Sequence, residues 1–355
     1  MADAETGDTR MAASMVTNAA DAEAESPQIE AFNVERADKV VHVYEVWNRF
    51  GGRTRFRCAG RCVTGPARVD LKYNVFAWVA IHVPVVVEAL LCGRWLWELS
   101  PVLPIATILL YIATLLMLLL TSCTDPGIIP RPEMQAMVDG MAEEVSKAIG
   151  CEGISMYARN YDHTVMQELQ SRGYTWCGYC SMVRPPRAKH CRDCDACILQ
   201  CDHHCPFVNN CIGKRNYRYF CSFILCLACL GMTVFGGITV WYIRDSAEVN
   251  GFHKTHQIAS ILLVCIPSAI CLILVVGLGC FHIALIAMGR STREIMTGKY
   301  VEGEGLSFFV RSGPSLIQPR AEVRRKPAHS RDSRASMDLI SRSSIATGSE
   351  GGVPP

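Results

Sequence analysis

Four long apolar runs decide what this chain can fold into. They cover Val75–Cys92, Val102–Cys123, Tyr219–Ile243 and Ile258–Met288, with 18, 22, 25 and 31 residues, and Glu88 carries the one formal charge among them. A bilayer core takes about 20 apolar residues per helix, so the runs read as four transmembrane helices. A soluble core rarely sustains 96 residues of this kind in a 355-residue chain. The last run is too short for two spans and a turn, and it reads as one long, tilted helix. Four spans place both ends of the chain on the same side. Residues 1–40 are polar with an acidic bias and contain no basic-then-apolar leader, so the amino terminus is expected to stay untranslocated.

The net charge of +2 says little, but its distribution orients the spans. Arg49, Arg53, Arg55, Arg57, Arg61, Arg68 and Lys72 precede the first run, Lys214, Arg215 and Arg218 precede the third, and Arg290 and Arg293 follow the fourth. The loops 93–101 and 244–257 hold only Arg94, Arg244 and Lys254. Positive residues stay on the cytosolic side, which puts both termini and the central loop 124–218 there. The bilayer is the expected partner and a nucleic acid is not.

The expected organisation is an acidic, disordered tail (1–39), a juxtamembrane segment (40–72), helices one and two (73–123), the central loop (124–218), helices three and four (219–289) and a largely disordered tail (290–355). Within the second segment, VVHVYEVW followed by Gly51-Gly52 and an Arg-rich stretch suggests two short strands joined by a turn. Within the loop, Met134–Ile149 reads as one amphipathic helix after a break at Pro130 and Pro132.

The chain has nineteen cysteines, and eight fall in Cys177–Cys211, inside a loop assigned to the reducing cytosol. Metal binding or thiol chemistry is therefore expected over disulfides. Cys-x-x-Cys spacing lets two thiolates converge on one tetrahedral ion. Cys177, Cys180, His190, Cys191, Cys194, Cys197, His204 and Cys211 make eight ligands, enough for two closed zinc sites. Sequence neighbours usually point apart, so His190 and Cys191 should serve different ions and the sites should interleave. The expected split is Cys177, Cys180, His190 and Cys197 for one ion, and Cys191, Cys194, His204 and Cys211 for the other. The same rule lets one member of the pair His203-His204 bind metal and frees the other. Cys201, Asp202 and Cys205 are also left over. A thiol beside an imidazole and a carboxylate is the arrangement of a cysteine nucleophile, although spacing alone does not say which leftover cysteine fills that role.

At these residues the chain resembles the DHHC family of protein S-acyltransferases. The resemblance covers Cys177–Phe220, with Asp202-His203-His204-Cys205-Pro206, Asn209-Asn210-Cys211, Asn216 and Phe220, together with the four-span frame. It extends to Asp125, Pro126 and Gly127 after the second span and to Ser291-Thr292-Arg293-Glu294 after the fourth. It implies a membrane, all-α fold: a four-helix transmembrane bundle with a cytosolic, zinc-binding, cysteine-rich domain of short β-hairpins (177–220) between helices two and three. It implies Cys205 as acyl-accepting nucleophile, His203 as general base, Asp202 as its orienter, and His204 as metal ligand. Asp125, Pro126, Gly127, Asn216, Thr292 and Glu294 are expected to support the core. Two zinc ions are then structural, and fatty acyl-CoA is the co-substrate.

Three features depart from the family pattern: Ser291 stands for Thr, Phe207 for a frequent Trp, and no copy of the family's aromatic and Asn motif follows Glu294. Arg184, Arg187 and Lys189 are candidates for the CoA phosphates, and Phe207 is a further substrate-binding candidate. Only fourteen residues separate Cys205 from Tyr219, at most about 50 Å fully extended, so the thiol is tethered near the membrane face. Protein substrates with membrane-proximal cysteines are the expected partners, on endomembranes (Golgi, endoplasmic reticulum) or the plasma membrane. Two rival readings are a membrane-anchored zinc module that recruits partners without acyl transfer, and a four-span transporter. The second has only Glu88, His82 and His282 as acidic, basic or histidine side chains within its spans.

Overall fold

A short helix, α1 (Val43–Trp47), leads into a hairpin of β1 (Arg55–Arg57) and β2 (Cys62–Thr64) in the computed structural model, which describes residues 43–47, 52–138, 140–151, 163–245, 262, 265–300 and 315–318. The strand expected over VVHVYEVW is therefore helical from Val43. Tyr44 and Trp47 both pack on Phe56, with ring centroids 6.2 and 5.8 Å away. Residues three apart share a face in a helix and lie on opposite faces in a strand. The hairpin turns at Cys58, Ala59 and Gly60, all with positive φ, and not at Gly51-Gly52.

With no water to satisfy it, the backbone of a membrane-crossing run bonds within itself as a helix. The spans are α2 (Ala67–Leu91), α4 (Val102–Cys123), α8 (Tyr217–Asp245) and α9 (Ile266–Met288). A short helix, α3 (Gly93–Leu99), occupies most of the expected 93–101 loop. The fourth span is helical from Ile266 with Pro267 in its first turn, where a missing N–H costs nothing; residues 258–261, 263 and 264 of the expected run lie outside the described ones. Helix α8 packs against α2, α4 and α9. Leu90 and Ile273 remain 80% and 71% exposed, as befits helices whose solvent is lipid.

Between α4 and α8 lie β3 (Ile128–Ile129), α5 (Pro132–Met137), α6 (Met141–Ile149), α7 (His163–Ser171) and six strands, β4 (Thr175–Cys177), β5 (Met182–Arg184), β6 (Lys189–Cys191), β7 (Ala196–Ile198), β8 (His203–Cys205) and β9 (Asn210–Ile212). The single helix expected over Met134–Ile149 is two helices, because Gly140 adopts φ 73° between them. Helix α6 buries Met141, Val145 and Ile149, one per turn on a single face. The strands pair antiparallel as β4–β5, β8–β9 and a three-stranded sheet β3–β7–β6.

Two tail segments fold back onto this region. Helix α10 (Thr292–Thr297) starts in a capping box: Ser291 Oγ accepts from Glu294 N–H, and Glu294 accepts from the Ser291 N–H. Serine caps a helix as well as threonine does, so the departure at 291 changes nothing here. Residues Ser315–Gln318 fall within the tail expected to be disordered, yet Ile317 is fully buried in the same core as Ile128, Ile129 and Ile198. Ser315 Oγ donates to Asp125 Oδ2 at 2.6 Å, and Gln318 Nε2 donates to the Arg61 carbonyl at 2.8 Å.

Candidate active site

The hairpin strands sort neighbouring residues to opposite sides, because successive side chains alternate faces. His190 lies across from Cys197 in the β6–β7 pair. His204 lies across from Cys211 in the β8–β9 pair. Two clusters result, Cys177, Cys180, His190 and Cys197 in one and Cys191, Cys194, His204 and Cys211 in the other, each with its ligand atoms within 4.8 Å of one another. His190 Nδ1 stands 3.3 Å from Cys180 Sγ and 3.9 Å from Cys197 Sγ. His204 Nδ1 stands 3.6, 3.4 and 3.5 Å from the sulfurs of Cys191, Cys194 and Cys211. A tetrahedral zinc with Zn–S near ~2.3 Å and Zn–N near ~2.0 Å places its ligand atoms roughly 3.5 Å apart, so the donor sets fit that ion. Mutual hydrogen bonding among the ligand thiols holds Cys177 and Cys191 well below the ordinary thiol range and pushes Cys180, Cys194, Cys197 and Cys211 above it; a bound zinc ion would favour the thiolate in all six.

His203 and Cys205 are two apart on β8 and share the face opposite His204. His203 Nδ1 is 2.7 Å from Asp202 Oδ2, and the Cys205 thiol, two residues along β8, acts on the same imidazole electrostatically. The other oxygen of Asp202, Oδ1, accepts from the Thr292 N–H at 2.7 Å. Burial pulls the His203 pKa down, but hydrogen bonds and charge from Asp202 and Cys205 outweigh it and lift the imidazole to about 9. Burial likewise opposes ionisation of Asp202, and its bonds to His203 and Thr292 overcome that to hold the carboxyl below its ordinary value. The arrangement can take a proton from the Cys205 thiol, hold it as imidazolium against a carboxylate, and return it. Cys205 is itself buried, 7% exposed, against Ile212, Phe220 and Phe223 at the head of the bundle.

The remaining expected residues divide. Gly127 and Ile128 donate their N–H groups to Asp125 Oδ1, both at 2.9 Å, and Asp125 is fully buried. Gly127 adopts φ 109°, open to glycine alone. Asn216 accepts from the Gly213 N–H and donates to the carbonyls of Thr121 and Cys211, joining β9 to the end of α4. Arg187 points inward, its Nε 3.2 Å from Glu294 Oε1 in a pair only 9% and 6% exposed. Lys189 stays on the outside, and Arg184 donates to the Trp176 carbonyl. Phe207 is 44% exposed and packs against Tyr73 and Phe76 of α2. Cys201 is buried.

Sequence reasoning missed several groups. Asp70 Oδ2 lies 2.8 Å from His204 Nε2. Asp195 lies 3.5 Å from His190 Nε2 and 2.9 Å from Arg131 Nη2. His282 of α9 is buried within 2.8 Å of the Tyr217 hydroxyl, and its ring packs edge-on against Phe220, which in turn meets His203. These contacts cross 134, 5 and 65 residues respectively; Asp195 alone, inside the cysteine cluster, had a local signal.

A family model described as DHHC palmitoyltransferase matches residues 170–299. The chain is 32% identical over 256 residues to palmitoyltransferase ZDHHC9 of Homo sapiens, covering 72% of this chain and 69% of that protein. It is 36% identical over 278 residues to probable protein S-acyltransferase 5 of Arabidopsis thaliana, covering 75% and 56%. It is 34% identical over 216 residues to palmitoyltransferase ZDHHC5 of Rattus norvegicus, covering 61% and 27%.

Proposed function

Given that the chain belongs to the DHHC palmitoyltransferase family, and so is an integral membrane protein S-acyltransferase, we propose that it works through an acyl-enzyme on Cys205, loaded from a fatty acyl-CoA and discharged onto cysteines of protein substrates. The observation that carries this is the buried Asp202 carboxylate 2.7 Å from the His203 imidazole, with Cys205 two residues along the same strand and on the same face.

In the first step the Cys205 sulfur, its proton already held by His203 as imidazolium, attacks the thioester carbonyl of acyl-CoA. The carbon–sulfur bond to CoA breaks, and His203 returns the proton to the departing thiolate. In the second step a substrate thiol gives its proton to His203 and attacks the Cys205 thioester, which regenerates the Cys205 thiol when the proton comes back. Asp202 fixes the ring so that Nδ1 carries a proton toward it and Nε2 faces Cys205. Zinc held by the two four-ligand clusters would have no open position, so its contribution is to fold the hairpins. Those clusters aim β8, and with it Cys205, at the membrane end of the bundle.

The segments flanking hairpin β1–β2, α10 and Ser315–Gln318 each bond to the central loop, and Gln318 also bonds to the hairpin. With the basic residues flanking the spans, this supports a cytosolic address for that end, on endomembranes or the plasma membrane. There the acyl chain can enter the bilayer while CoA stays in water. Lys189 and Arg184 are the basic groups best placed for its phosphates, since Arg187 faces Glu294. Phe207, beside Tyr73 and Phe76, is suited to the acyl end of the substrate.

The test is single-turnover transfer. Protein preloaded from an alkyne-tagged palmitoyl-CoA and freed of CoA is mixed with a peptide bearing one cysteine beside a lipid anchor. Label should leave the protein and appear on the peptide in a hydroxylamine-labile bond. Label that only drains into water, or stays on the protein, contradicts the second step.

A further inference from the structure

The first turns of α2 hold the Cys205 strand in two places. His204 presents Nδ1 to the three sulfurs of its cluster, so Nε2 points away from them, and 2.8 Å beyond it lies Asp70 Oδ2. Four residues later on the same helix face, Asn74 Nδ2 donates to the Phe207 carbonyl at 2.8 Å. One contact falls on the residue before Cys205 and the other two residues after it. Asp70 is 3% exposed, and a buried carboxylate is tolerated only with a partner that repays its lost hydration. The other histidine of this pattern, His190, has a poorer partner. Its Nε2 is 3.5 Å from Asp195, whose side chain is 29% exposed and also engaged by Arg131.

We propose that Asp70 is a positioning residue that fixes the His204 imidazole on the second zinc ion and thereby locks the Cys205 strand to the first membrane helix. The inference rests on the zinc reading given above. A carboxylate accepting the distal N–H of a metal-bound histidine sets its tautomer and ring orientation and raises its basicity, and loss of such a partner typically costs about 10- to 100-fold in metal affinity or activity. Here that partner comes from the head of a transmembrane helix, 134 residues away in sequence. The ion that orders β6–β9 would therefore be indexed to the height at which α2 enters the bilayer. An alternative role for Asp70 is a favourable charge in the first turn of α2, where it complements the helix dipole; that role predicts no preference between the two ions.

The experiment uses the full-length protein in detergent with its bound zinc. Zinc release to a chromogenic chelator is timed, while N-ethylmaleimide and peptide mass spectrometry report which cysteines become reactive. Asp70→Asn should speed release of one ion of the two by about 10- to 100-fold. The cysteines unmasked should be Cys191, Cys194 and Cys211, with Cys177, Cys180 and Cys197 still protected. Asp70→Glu should restore part of the retention. Asp195→Asn should loosen the other set, and by less. Should Asp70→Ala fail to accumulate, the Asn and Glu variants, which keep a polar side chain of similar size, carry the test. Both ions leaving the Asn variant at the wild-type rate, or both accelerated alike, overturns the inference. Wild-type protein with fewer than two zinc ions overturns the zinc reading, and this inference with it.

Discussion

Replacing Asp202 by Asn should slow acylation of Cys205 by about two to three orders of magnitude at pH 7 while leaving both zinc ions in place. The magnitude follows from His203. Its pKa stands at about 9 against an ordinary value near ~6.5, a difference of roughly 2.5 units, and at 1.36 kcal/mol per unit the imidazolium is favoured by about 3 kcal/mol. Burial alone would push the other way, so the preference comes from Asp202 and Cys205, and Asp202 contributes through both a hydrogen bond and its charge. An asparagine cannot replace it. If its oxygen keeps the Thr292 N–H, its NH₂ faces His203 Nδ1 and forces the ring proton onto Nε2, where the ring can no longer take a proton from the thiol. If the oxygen turns to His203 instead, two N–H groups confront each other at Thr292. The assay is quenched single-turnover acylation from palmitoyl-CoA read by intact mass, with zinc measured on the same samples. A rate within threefold of wild type would refute the reasoning, and loss of an ion would show that Asp202 acts through the fold.

Other perturbations probe the frame. Arg187→Ala should leave Glu294 buried without that cation and cost about 3–5 kcal/mol of stability, read as a drop in the unfolding midpoint; no shift would mean that the pair is dispensable. Gly213→Ala should cost about 1–3 kcal/mol, because its Cβ would stand 2.6 Å from the Pro126 carbonyl and 2.7 Å from Ile198. Ser315→Ala removes a donor from the buried Asp125 and should cost about 1–3 kcal/mol, and a chain ending at Pro314 should cost at least as much by the same thermal assay. The raised His203 pKa also has a stability sign: protonation favours the folded form, so the benefit is full below about pH 6.5 and lost as pH rises through about 9. The stability difference between wild type and His203→Gln should therefore shrink from pH 6.5 to 9, and a difference that grows would contradict the assigned partners.

What could be read in the sequence was local. Helix α4 begins and ends at the edges of its apolar run, Val102 and Cys123, because Pro101 and Asp125-Pro126-Gly127 bound it. The interleaved clusters followed from one local rule, that adjacent residues of a strand face opposite ways. Where local cues competed, the reading failed. VVHVYEVW is rich in strand-forming residues, yet the Phe56 ring gathers Tyr44 and Trp47 on one helix face. The helix over Met134–Ile149 reads as continuous until Gly140 is given its φ. What lay furthest out of reach were side chains meeting across the fold. Asp70 with His204 and Ser315 with Asp125 are 134 and 190 residues apart, and no periodicity encodes either pair. Arg187, by charge and position a phosphate ligand, turns inward because Glu294, arriving from beyond the fourth span, offers a buried counter-charge.

The most direct test is whether Cys205 carries the acyl group. Purified wild-type protein incubated with palmitoyl-CoA should gain the mass of one palmitoyl group, lose it to neutral hydroxylamine, and yield a modified peptide containing Cys205. Cys205→Ser, which retains both zinc ions, should gain no hydroxylamine-labile mass. Undiminished thioester labelling of Cys205→Ser, or its appearance on Cys201, would contradict the account.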